Sequence, residues 1–190
     1  MRYTLLAGLL VMTMATVSLA GVDKGTLETG FGGRIHLSPE PTEFHANFHV
    51  LYYMSQVLGI GPYIRLDKIG EFETDSITYK PATYYGIGAM AKMYLPMVMA
   101  DGKMTPFVAA AFGIKSVLKE LEMDTDAVEE KTETKPVFAL KVGFDWWVTE
   151  DWTFWVAYHG RKLIADEDEY GDLTDWQSDI ELGIATFITK

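Results

Sequence analysis

Along residues 136–158, PVFALKVGFDWWVTEDWTFWVAY, every second position is apolar: Pro136, Phe138, Leu140, Val142, Phe144, Trp146 and Val148. The intervening positions, Val137, Ala139, Lys141, Gly143, Asp145, Trp147 and Thr149, are mostly small, polar or charged, with one Trp near the turn. After Glu150 and Asp151 the alternation resumes, with Trp152, Phe154, Val156 and Tyr158 on one side and Thr153, Trp155, Ala157, His159 and Arg161 on the other. A period of two sends successive side chains to opposite faces. The pattern therefore predicts a β-hairpin with one continuous oily face and one charged face.

The same alternation runs through 25–37, 43–54, 58–69, 77–95, 105–121 and 176–189. With the two arms of the hairpin that makes eight strands, with no helical period and no domain boundary. Pro62 interrupts the third strand and marks a bulge or a weakly paired position. The connections alternate in character. Those after the first, third, fifth and seventh strands carry prolines (38–42) or charged clusters (70–76, 122–134, 165–175), and the others are mostly short. Strands of about ten residues joined alternately by short turns and longer loops predict an all-β fold, an eight-stranded antiparallel up-and-down transmembrane β-barrel. An even strand number puts both termini on the periplasmic side.

The distribution of residue sizes decides which face points inward. Gly30, Gly32, Gly59, Gly61, Gly86, Gly88, Ala109 and Ala111 share the charged face, and small residues suit the crowded interior of a narrow barrel. A soluble ligand-holding barrel would reverse the faces, and the aromatic side chains would overfill its lumen. Phe44, Phe48, Phe112, Phe138, Phe144, Trp146, Trp152 and Phe154 are accordingly assigned to lipid. Glu28, Arg34, Arg65, Asp67, Lys80, Lys92, Lys115, Lys141, Asp145, His159, Arg161, Asp179 and Glu181 are assigned to the lumen. Buried charges need partners, so these residues are expected to form an ion-pair network that fills the barrel; a gated conduit whose pairs exchange partners is the alternative. Tyr53, Tyr94, Phe107, Trp147, Trp155 and Phe187 point inward near the periplasmic ends of their strands and are expected to form an aromatic plug, with water entering only above it.

Composition adds the cell compartment. Residues 1–20 combine Arg2, an apolar run and the small residues of Ser18-Leu19-Ala20. They read as a cleaved secretory signal peptide, leaving 21–190 as the barrel domain. The run is short of the ~20 residues a membrane-spanning helix needs. The chain has no Cys and a formal net charge of −11. That rules out a disulfide framework and argues against a nucleic-acid partner, which requires a basic surface. No cofactor and no resident metal are expected. His36, His45 and His49 lie toward one rim, but His45 and His49 are too far apart along one strand to share an ion; hydrogen-bonded lumen histidines are the expectation. Asp166, Asp168, Gly171 and Asp172 match a calcium loop only in part, although acidic outer loops can share divalent cations with lipopolysaccharide phosphates.

The segment VGFDWWVTEDWTFWVAYHG, with Gly143, its aromatic pair, its Thr-acidic turn and Tyr158, resembles the penultimate hairpin of the eight-stranded outer-membrane β-barrel proteins of the OmpA and OmpX type. TPFVAAAFGI, from Thr105 to Ile114, resembles their fifth strand. The resemblance covers the mature chain. It implies the outer membrane of a diderm, Gram-negative-type bacterium, contact with outer-membrane lipids and lipopolysaccharide, and insertion by the barrel assembly machinery. The chain closes on Thr186-Phe187-Ile188-Thr189-Lys190, where that family usually ends on an aromatic residue. A structural or surface-interaction role without catalysis follows. One enzymatic alternative rests on Asp75 and Ser76, with His36 near the same rim and Phe72, Lys80 and Pro81 alongside. That set is similar to the outer-membrane lipid A palmitoyltransferases, whose N-terminal amphipathic helix the chain lacks.

Overall fold

The computed structural model describes residues 22–36, 43–69, 72–74, 77–79, 82–95, 99–100, 103–119, 131–165 and 176–189. These residues form ten strands: β1 (Leu27–His36), β2 (Glu43–Tyr53), β3 (Leu58–Ile69), β4 (Phe72–Thr74), β5 (Ile77–Tyr79), β6 (Ala82–Tyr94), β7 (Met104–Lys119), β8 (Lys131–Trp147), β9 (Trp152–Leu163) and β10 (Gln177–Ile188). Eight of them close a barrel in the order β1-β10-β9-β8-β7-β6-β3-β2, and β4 pairs only with β5. Every pairing is antiparallel. Closure pairs the first barrel strand with the last, which is how an all-strand protein satisfies its backbone without water.

Alternation holds around the ring. Phe31, Phe48, Tyr85, Phe112, Trp146, Phe154 and Leu182 are exposed on the outside, while Glu28, Asn47, Lys92, Asp145 and Glu181 are buried inside. Phe138, Phe144 and Trp152 are half-buried on the outer surface, and Phe44 is exposed there. The outer belt is a contiguous apolar surface far larger than a soluble monomer tolerates. The two ends of the barrel differ. Short connections at 54–57 and 148–151, together with the start of β1 and the end of β10, mark a turn end; the long connections mark a loop end.

The observed elements depart from the sequence pattern after the third barrel strand and before the sixth, and β4 falls inside the stretch expected as a loop over 70–76. The long strand expected over 77–95 is two elements: Ile77–Tyr79 belongs to the β4–β5 ladder, and the barrel strand starts at Ala82. Pro81 lies between them and has no N–H to continue a ladder. The charged stretch expected as a loop over 122–134 is partly strand, because β7 and β8 pair as far as Lys119↔Lys131. Thr132 and Thr134 favour an extended backbone there. Pro62 marks a weakly paired position, as expected, rather than a bulge: the β2–β3 register lapses between His49↔Tyr63 and Tyr52↔Ile60 with equal spacing on both strands.

At the loop end two seams splay. β1 pairs with β10 only up to Gly33↔Leu182, and β6 pairs with β7 only up to Gly86↔Lys115. The flanking ladders continue to His36↔Glu43, Arg161↔Gln177, Ile69↔Ala82 and Lys119↔Lys131. The Ser116 Oγ accepts from the Tyr85 N–H at 2.9 Å and ends the second seam. The mouth is thus built from two separated walls, whereas the turn end is a continuous ring.

Candidate functional site in the barrel lumen

The lumen has two storeys. The lower one, at the turn end, begins with stacked rings. Tyr53 and Tyr94 lie 5.9 Å apart between centroids, Tyr53 and Phe187 6.4 Å, and Trp147 and Phe187 4.8 Å. Phe107 and Val22 join this cluster, and Val57 packs against it from the first short turn. The Trp147 Nε1–H donates to Thr105 Oγ1 at 3.0 Å. Trp155 belongs to the same buried cluster but makes none of these ring contacts. Its indole lies over Gly32 and Gly183, which face each other across the β1–β10 seam, and a Cβ at either position would strike it. Lys141 Nζ rests 5.1 Å from its ring centroid. Trp155 therefore packs beneath the upper storey rather than within the ring stack, because two glycines on its own level open the room for it.

Above the rings, Lys92 Nζ bridges Glu28 Oε1 at 2.8 Å and Asp145 Oδ2 at 2.6 Å. The Tyr53 hydroxyl donates to Glu28 Oε2 and the Tyr94 hydroxyl to Asp145 Oδ2, each at 2.5 Å. His49 Nε2 adds a bond to Glu28 at 2.9 Å. Lys92 also lies 4.9 Å from the Tyr94 ring and 4.6 Å from the Phe107 ring. One cation thus ties two carboxylates on β1 and β8 to the aromatic stack below. Alternation explains this locally: Lys92 and Tyr94 are two apart on β6 and so point into the same lumen one above the other.

The upper storey is a wider network. Arg65 Nε donates to Asp67 Oδ1 at 2.6 Å, and Lys115 Nζ meets Asp67 Oδ2 at 2.6 Å. His45 Nδ1 bonds to the same carboxylate, and Arg34 Nη2 lies 2.7 Å from His45 Nε2. Arg34 Nη1 also meets Asp179 Oδ2 at 3.3 Å. Lys141 Nζ and Asn47 Nδ2 donate to Glu181 Oε2 at 2.5 and 3.2 Å. His159 Nδ1 faces Asp179 at 3.3 Å and Glu181 at 3.1 Å. Arg161 differs from the others: its Nε donates to the neutral Gln177 Oε1 at 2.9 Å.

His159, Asp179 and Glu181 bring three ligand-type atoms within 4.8 Å of one another. Arg34, Arg65 and Lys141 already neutralise those carboxylates, at 3.3, 3.4 and 2.5 Å. A metal ion would have to displace three protein cations, so the donor set reads as part of the ion-pair network. His45 and His49 fall in different storeys. Lys80, Asp75 and Ser76 lie outside the described residues, as do residues 1–20 and the partial calcium loop; His36 is described only as the end of β1, paired with Glu43.

Sequence reasoning passed over Val22, Thr26 and Thr105 as lumen residues, all of them buried. Thr105 lies on an inward position of its strand and was legible from alternation, the rule that places Met90 inside. Val22 precedes the first strand, and no periodicity reaches it.

No protein-family model matches the chain, and a search of the curated proteins finds no match either. Solved structures do match. OprG from Pseudomonas aeruginosa is similar over 91% of this chain and 100% of its own, at 13% identity and a TM-score of 0.55. The N-terminal β-barrel domain of Pseudomonas aeruginosa OprF covers 88% of this chain and 100% of its own, at 12% identity and a TM-score of 0.53. Neisserial surface protein A covers 87% and 96%, at 12% identity and a TM-score of 0.51. With its closed ring of eight antiparallel strands, its apolar belt and its charged lumen, the chain has the fold of the eight-stranded outer-membrane β-barrels.

Proposed function

We propose that the protein is a non-enzymatic barrel of the outer membrane of a Gram-negative-type bacterium, with a structural or surface-interaction role and a lumen its own side chains close. The termini face the periplasm, so the ring stack lies at the periplasmic end and the two-walled mouth faces outward. Its partners are outer-membrane lipids and lipopolysaccharide, with divalent cations shared at the acidic outer loops, and the assembly machinery that inserts it. The observation that carries this reading is the pairing of an apolar outer belt with a lower lumen filled by buried rings and the Glu28–Lys92–Asp145 bridge. Eight strands leave an interior that side chains can fill.

The test has two parts. Fractionated cells should hold the mature chain in the outer membrane, with a gel mobility that shifts on boiling, and Phe112→Arg on the outer belt should impair insertion, at about 2–4 kcal/mol for a site near the bilayer centre. Recovery as a soluble periplasmic monomer defeats the reading. Purified protein in planar bilayers should show no sustained conductance; a steady ion-selective current would make it a channel instead. Ser76→Ala should leave the lipid A profile unchanged, and loss of an acylated species would restore the enzymatic alternative.

A further inference from the structure

On the outside of the barrel an open groove of about 490 Å³ runs across β1, β10, β9 and β8, with Phe31, Trp146, Phe154, Leu182 and Ile184 among its walls. Its outward residues form two rows of the register. Phe31, Ile184, Phe154, Trp146 and Met104 are successive cross-strand partners, and Gly33, Leu182, Val156 and Phe144 make the next row toward the loop end. Gly33 carries no side chain, so the floor drops between the bulky neighbours. One row nearer the turn end the surface changes character. Thr29, Thr186 and Trp152 are the cross-strand partners there, and the two Thr Oγ1 atoms lie 2.7 Å apart on the outer surface. Within such a pair one hydroxyl proton is used and the other is left for an outside acceptor. An outward Trp at this level suits the boundary between hydrocarbon and headgroups. Lower still, Lys103, Glu150 and Asp151 are exposed. Lys103 stands at the foot of the groove, because it adjoins Met104 and its carbonyl accepts from the Trp147 N–H at 2.7 Å. From the turn end upward the surface offers charges of both signs, then hydroxyls, then an apolar trough.

We propose that the groove binds one acyl chain of a glycerophospholipid whose headgroup is zwitterionic and carries a primary ammonium. The phosphate is placed at Lys103, the ammonium at Glu150 and Asp151, an ester carbonyl at the Thr29–Thr186 pair, and the tail across Phe31, Phe154 and Leu182. The charges select this headgroup, since a purely anionic one meets two carboxylates with nothing to offset them. The volume falls within the roughly 300–1,000 Å³ of small-ligand clefts. Shape selects a lipid tail over a second barrel: the belt of another copy is convex and rigid, and only a flexible chain follows a concave floor. Lipid tails are as apolar as the belt, so no hydrophobic drive favours a protein partner over them. The choice of a phospholipid over lipopolysaccharide rests on the outer-membrane reading above, which puts the turn end in the periplasmic leaflet.

Native mass spectrometry of the purified mature protein, released from micelles doped equally with phosphatidylethanolamine and phosphatidylglycerol, tests the site. One phosphatidylethanolamine per barrel should be retained, in a saturable manner. Val156→Trp, which fills the trough from an exposed outward position, should lose that lipid, while Ile64→Phe, exposed on the opposite side of the belt, should keep it. The double change Thr29→Val with Thr186→Val should weaken retention about fivefold, the loss of one hydrogen bond. Retention that survives Val156→Trp, or equal retention of phosphatidylglycerol, overturns the proposal. So does a dimer that Val156→Trp disrupts, which would make the groove a contact between copies. If Val156→Trp fails to fold, the unmodified protein decides: phosphatidylethanolamine with brominated tails should quench tryptophan fluorescence saturably at about one lipid per barrel, and quenching that never saturates refutes the site. An outer-membrane barrel that retains no lipid defeats the groove alone, whereas recovery as a soluble periplasmic monomer defeats the outer-membrane reading with it.

Discussion

The two storeys of the lumen solve the same problem, charges inside a narrow barrel, in opposite ways. In the lower one a single cation, Lys92, is shared between Glu28 and Asp145, and tyrosine hydroxyls and His49 take further positions on those carboxylates. The void beside Lys92 and Trp155 is about 10 Å³, barely a water. In the upper one, among the described residues, Arg34, Arg65, Lys115 and Lys141 pair with Asp67, Asp179 and Glu181, the cavity is about 30 Å³, and the splayed β6–β7 seam opens beside it. The lower storey is drier, with rings packed around one shared cation; the upper spreads its charges over a wider network in which Arg34 and Lys115 stay partly exposed. Closure belongs to the first and exchange with the surrounding solution to the second.

The largest effect should come from removing the shared cation. Lys92→Met leaves Glu28 and Asp145 buried and facing each other, and breaking a buried pair costs about 3–5 kcal/mol. The readout is the urea midpoint of unfolding in micelles. Adding Glu28→Gln to Lys92→Met should recover part of the loss, since the two act on one network. A cost below about 1 kcal/mol for Lys92→Met would erase the distinction between the storeys. Next in size is Trp147→Ala. Truncating a buried Trp costs about 3–5 kcal/mol, with the lower end expected because Trp147 sits at the rim of the stack, and the same variant should show brief leak currents in planar bilayers. Smaller again is Gly183→Ala, whose Cβ would strike the Trp155 indole. Overpacking of this kind costs about 1–3 kcal/mol, and a change in Trp155 fluorescence should accompany it.

The fold was legible because one rule, period two, operates in all eight barrel strands, and because glycines and alanines share the charged face. Gly32 and Gly183 show why inward and outward were distinguishable: only a crowded interior needs them there. The break at Pro81 was also readable in principle, as a residue without an N–H. Vertical position was less legible. Alternation states which way Trp155 points but not its height relative to Tyr53 and Phe187, since strand tilt and register set that, and both depend on pairings far apart in sequence. For the same reason the lumen charges could be named from the pattern while their partners could not. Lys92 meets Asp145 across 53 positions of chain and Arg65 meets Glu181 across 116, distances over which no local spacing carries information.

The smallest effect, and the sharpest check on the upper storey, concerns Lys115. Its ammonium lies 2.6 Å from Asp67, as close as Lys92 lies to Asp145, so distance alone predicts equal losses on substitution. The surroundings differ. Lys115 keeps 18% exposure against 3% for Lys92, and Asp67 retains Arg65 and His45 when Lys115 is lost. Water at the mouth screens the pair, and partly exposed ion pairs contribute about 0–1 kcal/mol. Lys115→Gln should therefore lower the urea midpoint by less than about 1 kcal/mol, and the difference from the unmodified protein should shrink as neutral salt is raised, because screening acts on solvent-facing charge. Lys92→Met should show no such salt dependence. If Lys115→Gln instead costs as much as Lys92→Met and ignores salt, the upper storey is as dry as the lower, and the division of the lumen into a sealed half and an exchanging half fails.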